Sequence, residues 1–589
     1  MRNAVAFANN DVVTIAWSYG KRPDGCMGFA IYRIDNKGKE TALPSHAVFK
    51  GYTIKSGQTT AEFPIQKFYW KDPYARLQAE RTQNRTFRYK IVPLEGKPGS
   101  LVPMSALPFI VSNEVVVSSQ MSEDVNAFFN RGLISTQRVS RAFKGKPSKP
   151  ALLPLISKEN NPLRLSLASD MVRALTQFAD RAEDSGELYA ALYELGDEEL
   201  IKTLEKLGKR LHIVLSNSVQ TDPKTKKKTD GNAEARERLG KTAGEKWDRM
   251  MPSNHIGHNK FLVYVGKKGP EAVLLGSTNW TPTGLCAQTN NTLWIEEPKL
   301  ARRYLDYWKK LAYDTNAAKG DPKKLQASGL RGWDASGKDF SFNKDEALES
   351  WFSPNTPKAR TKAKNEKRPP DMEALVKRIN RAQHAILFLA FYPGSPCVAN
   401  WAATALRQNR KLFVRGCVTN NSASEGFYYT LQGSSPPKRV KGAKTPVKQD
   451  PRVIAAEAFD GKVIPAGWQK EILKAGFAII HDKVLVIDPF SDHCVVATGS
   501  HNLGHKASYD NDENLVLIEG NKKLAVAYAT HVLDVYDHFA WRYTVKQFGQ
   551  KGADQSLKGT SDEWLNQYFD AKGEIKTAQL KFWLQATVA

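Results

Sequence analysis

The chain is short of cysteine, of long apolar runs and of acid relative to base, and each shortage removes a class of protein. Only five cysteines occur in 589 residues (Cys26, Cys286, Cys397, Cys417 and Cys494), and none forms a CxxC pair. An odd, scattered set argues against a disulfide frame or a cysteine zinc site and reads as free thiols in a reducing compartment. No uninterrupted apolar run of about 18 residues is present, so no transmembrane segment is expected. The opening MRNAVAFANNDVVTIAWSYG alternates and has no apolar h-region, so no cleavable signal peptide is expected either. The expected location is cytoplasmic, or exported without a cleavable signal, with any membrane contact peripheral.

Acidic residues number 61 against 86 basic ones, a net charge of +25. That excess favours a polyanionic partner, and nucleic acid and an anionic phospholipid surface both qualify. Much of it sits in the runs DPKTKKKTDG (222 to 231), KARTKAKNEKRPP (358 to 370) and PPKRVKGAKTPVK (436 to 448). Such runs also read as plain solvated loops.

The length exceeds what one core accommodates and calls for two to four domains. Residues 1–115 alternate like strands in DVVTIAWSYG, CMGFAIYRID and RTFRYKIVPLEG, with RPDG and DNKG as turns. A Trp strand, then GFAIYR, then a late Tyr strand resembles a fibronectin III or immunoglobulin-like β-sandwich. Residues 116–150 form a polar connector, read as helical around SEDVNAFFNRGL. Two similar units follow, 151–345 and 371–550, separated by a Pro- and Lys-rich linker over 346–370 and followed by an extension over 551–589. In each unit a helix, an apolar strand, a second helix and a second strand alternate: ASDMVRALTQFADRAE, ELYAALYEL, DEELIKTLEKLGKR and LHIVLSN in the first, DMEALVKRINRAQ, AILFLAFYP, CVANWAATALRQNR and KLFVRGCVTN in the second. That alternation predicts α/β units with parallel or mixed sheets and helices on both faces. Each unit then has a long basic insert, roughly 218 to 254 and 421 to 478, and closes on a helix.

After each insert comes one phrase in two spellings, HNKFLVYV at 258 to 265 and HDKVLVID at 481 to 488. The copies stand in one register: His258 with His481, Lys260 with Lys483, Gly276 with Gly499, Ser277 with Ser500 and Asn279 with Asn502. Further on, Asn290 faces Glu513 and Asn291 faces Asn514. A repeat of this precision governs the fold expectation. A strand alternates its side chains, so a His and a Lys two apart leave on one face. A Gly-Ser turn lets backbone approach a ligand, and each Asn adds an amide donor. Two imidazoles, two ammonium groups and two amides around one space suit a phosphodiester. One ring attacks phosphorus, the other protonates the leaving oxygen, and the lysines hold the charge as a metal would.

The motifs resemble those of the phospholipase D superfamily, which carries H-x-K, four residues, D, then G-S or G-G, one residue and N. The resemblance covers about 160 to 545. It implies two lobes about a pseudo-twofold axis with both motifs on one phosphate, a metal-free phosphodiesterase acting through a phosphohistidine, no cofactor and a two-lobe active site within a monomer. On this reading His258, Lys260, Asn279, His481, Lys483, Asn502 and Glu513 are catalytic, and Asp488, Ser277, Ser500 and Asn290 support them. The family places a carboxylate some thirty residues after its motif imidazole, which gives Glu513 to His481 and Asn290 to His258. A carboxylate raises an imidazole pKa and an amide does not. The expectation is therefore a neutral nucleophile at His258 and a protonated acid at His481, in line with the nucleophilic role the family usually gives its N-terminal motif. Val265 stands where the motif has Asp, a position that fixes local structure in the family. His255 and His258 are spaced for a shared metal but lack a third ligand nearby, so no metal site is expected. His493, His501 and His505 are read as surface or supporting residues.

The expected substrate is a phospholipid, with hydrolysis of its head group to phosphatidic acid. The alternative is a nuclease or DNA-end-processing phosphodiesterase, supported by the basic loops and by an amide facing the first His, as in tyrosyl-DNA phosphodiesterases.

Overall fold

The computed structural model describes the chain apart from residues 1–2, 46, 54, 133–148, 222–227, 342–345, 362–365, 438–446, 457–479, 554–555, 560–561 and 587–589. Two mixed sheets form its body. The first runs Val125–Phe129, Asn291–Ile295, Gly269–Gly276, Lys260–Gly266, Glu187–Leu192, Leu211–Ser216 and Glu245–Arg249 in spatial order. The second runs Lys338–Ser341, Ala347–Ser353, Glu513–Glu519, Val495–Gly499, Lys483–Ile487, Ala385–Ala390, Phe413–Val418 and Val453–Ala455. In each, the first strand of the unit pairs parallel with the second and antiparallel with the motif strand. Central segments such as AILFLA are apolar throughout because both faces are covered.

The covering layers follow from helical apolar stripes. On the outside, Met171–Asp184 and Glu198–Lys206 bury Leu175, Phe178, Leu200 and Leu204 against the first sheet, while Pro370–Ile379 and Val398–Gln408 bury Leu375, Ile379 and Trp401 against the second. Between the sheets lie the closing helices Pro298–Ala318 and Lys522–Ala553. Their Tyr304, Trp308, Tyr528 and Val532 join Phe261 and Val263 of one lobe to Val484 and Val516 of the other in a single apolar core. That shared core holds the two motif strands at a fixed separation.

Several sequence expectations are corrected. The connector is not helical at Val125–Phe129: VNAFF alternates, and it adds an edge strand paired antiparallel with Asn291–Ile295. Residues 133–148 of that connector lie outside the described residues. The linker over 346–370 is not a spacer at its start, because Ala347–Ser353 pairs along its length with Glu513–Glu519. Lys338–Ser341, assigned to the first unit, joins the second sheet through that strand. The described parts of the basic inserts hold regular elements. The first contributes the pair Val219–Thr221 and Lys228–Asp230, the helix Ala233–Thr242 and the strand Glu245–Arg249; the second contributes Asn421–Gln432 and Val453–Ala455. Their stretches at 222–227, 438–446 and 457–479 fall outside the described residues.

The N-terminal region is antiparallel β, with a sheet of Asn3–Ala8, Val13–Ser18 and Tyr69–Asp72 facing a second sheet built on Gly28–Ile34 and Thr86–Lys97, but it also holds a helix, Ala75–Thr82. The C-terminal extension is part of it: Trp564, Leu565, Tyr568, Phe569 and Leu580 share one core with Trp17, Phe29 and Ile31. Lys71 and Arg131 both bind Asp534 on the second closing helix, at 2.6 and 3.3 Å, which fastens the region to the second lobe. All five cysteines are free and buried. Among the described residues no helix is long and apolar enough to cross a membrane.

Candidate active site

Each half-site begins on its motif strand. His258 immediately precedes the pair that starts Lys260–Gly266, and His481 stands in the same place before Lys483–Ile487. Strand alternation sends His and Lys to one side, where Lys260 Nζ donates to the His258 carbonyl at 2.7 Å and Lys483 Nζ to the His481 carbonyl at 2.6 Å. The glycine of each G-S-x-N turn is sterically required. A Cβ on Gly276 or Gly499 would lie 2.3 Å from the carbonyl oxygen of Asn291 or Asn514, and Gly499 also has φ +147°. This closeness lets Ser277 and Ser500 pin the following strands: their amides donate to those carbonyls at 3.0 and 3.1 Å, and their hydroxyls accept from the Asn291 and Asn514 amides at 3.0 Å each.

The lobes then exchange partners. Gly257 forms a parallel bridge with Asp512, and Thr289 forms one with Ile480. The His258 amide donates to the Asp512 carbonyl at 2.8 Å, and the His481 amide to the Thr289 carbonyl at 3.1 Å. Position 513 is thereby carried to residue 258, and position 290 to residue 481. Glu513 Oε2 lies 2.9 Å from His258 Nδ1, and Asn290 Oδ1 lies 2.8 Å from His481 Nδ1. The expected pairing is overturned: the carboxylate stands behind the first imidazole and the amide behind the second. The physical reason is that backbone pairing across the pseudo-twofold, not position along one lobe, decides what each ring meets.

The two rings are 6.2 Å apart between centroids and each is only 2 % exposed. Their proton positions follow from the partners. His258 Nδ1 faces two acceptors, Glu513 and the Ser500 carbonyl at 3.1 Å, so it carries the hydrogen and leaves Nε2 with a lone pair. Asn290 is oriented by its own contacts, since Nδ2 donates to the Gly284 carbonyl at 2.8 Å and Oδ1 accepts from Ser277 Oγ at 2.9 Å. Its oxygen therefore faces His481 Nδ1, which is again the protonated nitrogen. Burial first, and then the neighbouring lysines, hold both imidazoles well below their ordinary pKa. Both rings therefore favour the neutral form, against the protonated start expected for His481. Burial also brings Lys260 down to about 7 and Lys483 well below its usual range, and lifts Glu513 to about 7. An anion between the lysines would restore their charge and relieve both rings.

Asn279 and Asn502 are buried, and among the described residues the Oδ1 of each has no hydrogen-bond partner. Asp488 holds the start of the second lobe's first strand by accepting the amides of Gln383, His384 and Ala385 at 2.7 to 2.8 Å, from a left-handed backbone of φ +46°. Val265 faces Glu187 and sits at a strand irregularity instead, where Gly186 at φ +85° makes the equivalent turn without a carboxylate. His255 hydrogen-bonds Gln326 through Nδ1 at 2.9 Å. His501 and His505 are buried supporting residues, not surface ones: His501 Nε2 lies 3.0 Å from Ser508 Oγ and 3.2 Å from Asp371, and His505 Nδ1 lies 2.9 Å from Glu366.

Sequence reading missed an aromatic seat and a carboxylate. Tyr193 and Phe391 follow the first strands of their lobes. Each meets its imidazole edge-on at 5.1 and 4.7 Å, and each places its ring under the motif lysine at 5.0 and 4.9 Å. An aromatic directly after each apolar strand was the available signal. Glu194 accepts from Asn279 Nδ2 at 2.6 Å and from Ser218 Oγ at 3.1 Å, and no motif marks it.

With this geometry in place, residues 375–534 match a family model described as "Cardiolipin synthase, PLD-like domain". The second lobe is thus similar to a phospholipase D-like domain, and the α/β architecture is two mixed-sheet lobes with an antiparallel β region before them. Among solved structures, the phosphatidylserine synthase of Haemophilus influenzae Rd KW20 is similar at 12% identity over 65% of this chain and 89% of that one, with a TM-score of 0.41. Nuc from Salmonella typhimurium, a phospholipase D family member, is similar at 17% identity over 33% of this chain and 95% of its own, with a TM-score of 0.22. Yeast tyrosyl-DNA phosphodiesterase is similar at 12% identity over 58% and 86%, with a TM-score of 0.30. No curated protein matches the chain.

Proposed function

We propose that the two half-sites form one metal-independent phosphodiesterase centre that works through a phosphohistidine on His258, with phospholipid head groups as substrate and phosphatidic acid as product. The observation that carries the reading is the crossed pair of Nδ1 contacts, which leaves Nε2 of two rings 6.2 Å apart available for opposite tasks. Lys260, Lys483, Asn279 and Asn502 hold the diester, whose negative charge offsets that of the lysines, so that His481 takes up a proton from solvent at Nε2 as substrate binds. His258 Nε2 attacks phosphorus and forms a P–N bond. The P–O bond to the head group breaks, and its oxygen takes the proton of His481 Nε2. The imidazolium left at residue 258 faces the Glu513 carboxylate, a stabilisation an amide does not supply, which is why the first ring is the nucleophile. Water then attacks phosphorus, gives its proton to His481, and the P–N bond breaks to release phosphatidic acid and neutral His258. Acid or base assistance of this kind contributes roughly 100-fold to 10,000-fold.

The description of the family matching 375–534 supports a lipid substrate. The net charge of +25 supports the second reading, a nucleic-acid phosphodiester held along basic loops. The test offers purified protein, in chelator, phospholipid vesicles and single- or double-stranded DNA in parallel. Release of phosphatidic acid is expected. DNA cleavage with intact lipid would move the assignment to the second reading, and loss of all activity in chelator would overturn the metal-free chemistry.

A further inference from the structure

The first strands of the two half-sites correspond as far as the residue that seats each lysine. Leu192 pairs with Lys260 and Ala390 with Lys483, so the two first strands end in equivalent places. The next residues, Tyr193 and Phe391, seat the lysines alike. The residues after them diverge: the first lobe has Glu194, half-buried and bonded to the candidate phosphate-binding Asn279, and the second has Tyr392, 51% exposed. Among the described residues Asn502 has no carboxylate partner. The asymmetry is chemical, because it places a carboxylate next to an anion site on one side only.

Glu194 also borders a recess of about 430 Å³ whose lining includes Leu195, Ile201, Glu198, Glu234, Thr281 and Gln288. Among the described residues no lysine or arginine lines it. Glu198 and Glu234 are occupied by Arg238, at 2.7 and 3.4 Å, whereas among the described residues Glu194 is hydrogen-bonded only by the neutral donors Asn279 and Ser218, with the motif lysines acting on it through their charge. Free acceptors gather beside it. Asn279, 3% exposed, gives Nδ2 to Glu194 and keeps Oδ1 without a partner, and Gln288 Oε1 in the recess wall is also unpaired. Buried acceptors without donors are costly and point to a missing donor.

A phosphodiester held by the motif lysines draws their charge toward phosphorus and leaves Glu194 facing the recess without a cation. Asn279 touches Glu194 directly at 2.6 Å, and a head group with a two-carbon spacer carries its ammonium a short step from the phosphate oxygen. A primary ammonium, with three N–H donors, satisfies both a carboxylate and amide oxygens, while a quaternary ammonium has no N–H to give. We propose that Glu194 is the specificity-determining residue of this centre and takes the primary ammonium of an ethanolamine-type head group, an inference that rests on the lipid reading above.

The test compares initial rates of phosphatidic acid release from vesicles of phosphatidylethanolamine, phosphatidylcholine and phosphatidylglycerol, using the full chain. The native protein is expected to prefer the ethanolamine lipid over the glycerol lipid by about tenfold, the worth of a charged hydrogen bond. Glu194→Gln is expected to bring that ratio close to one, and Glu194→Asp to restore part of it. Equal losses on both lipids, with the ratio kept, would assign Glu194 only to the orientation of Asn279 and overturn the proposal, as would a native protein without preference. A native protein that cleaves DNA and none of the three lipids would remove the lipid reading, and this inference with it.

Discussion

The first lobe presents His258 with a carboxylate behind its ring, and the second presents His481 with an amide behind its ring, although both rings leave equivalent strands beside equivalent lysines and aromatics. Both amino acids come from the opposite lobe. Duplication alone would give two equal half-sites, each able to attack or to protonate. One carboxylate removes that degeneracy, because it favours a positive charge on one ring when a bond forms there. The same contrast recurs one layer out. Asn259 binds Asn514 and Tyr307 in the first lobe, whereas Asp482 binds Asn291 and His531 in the second. It recurs again at the motif's end, where Asp488 gathers three amides and Val265 gathers none.

The strongest disturbance of this asymmetry is removal of the proposed nucleophile. His258→Ala is expected to lower turnover by about 10,000-fold, and His481→Ala by at least about 100-fold on a lipid whose leaving oxygen needs a proton. With bis(4-nitrophenyl) phosphate, whose leaving group needs no acid, His481→Ala should accumulate phosphate on residue 258, seen as an acid-labile label by mass spectrometry. Label on residue 481 in His258→Ala, with none on 258 in the reverse variant, would exchange the roles. Glu513→Gln makes the two rings alike and is expected to cost about 100-fold in kcat, while Asn290→Asp should cost less, since it adds a charge without removing one. Equal losses would mean the carboxylate only orients its ring.

The pH dependence comes next in size. In the proposed mechanism Glu513, lifted to about 7, acts while ionised, so kcat/KM should fall about tenfold per unit as pH drops below that value. Lys260, also near 7, binds phosphate while protonated, so kcat/KM should fall as pH rises above it. The expected profile is a narrow bell about neutrality, and Lys260→Arg should move its alkaline limb upward. A flat profile between pH 6 and 9 would contradict both assignments. The smallest effect is structural. Asp488→Ala leaves three amides without their acceptor and should destabilise the protein by about 3 kcal/mol in a denaturant titration. Val265→Ala, in the position without that duty, should cost about 1 kcal/mol.

The sequence by itself determined the duplication, the paired His and Lys of the two motif strands and most of the strands and helices, because these depend on local periodicity and on residue types repeated in register. It also held the segments that were misread. Val125–Phe129 and Ala347–Ser353 are short alternating stretches whose state is decided by an open sheet edge far away in the chain. The C-terminal aromatics gave no sign that they complete a core begun at Trp17 and Phe29, more than five hundred residues earlier. Only tertiary structure decided which ring receives Glu513. That choice rests on two backbone bridges, Gly257 with Asp512 and Thr289 with Ile480, which exist only once both lobes share a core, and no local pattern encodes contacts of such separation.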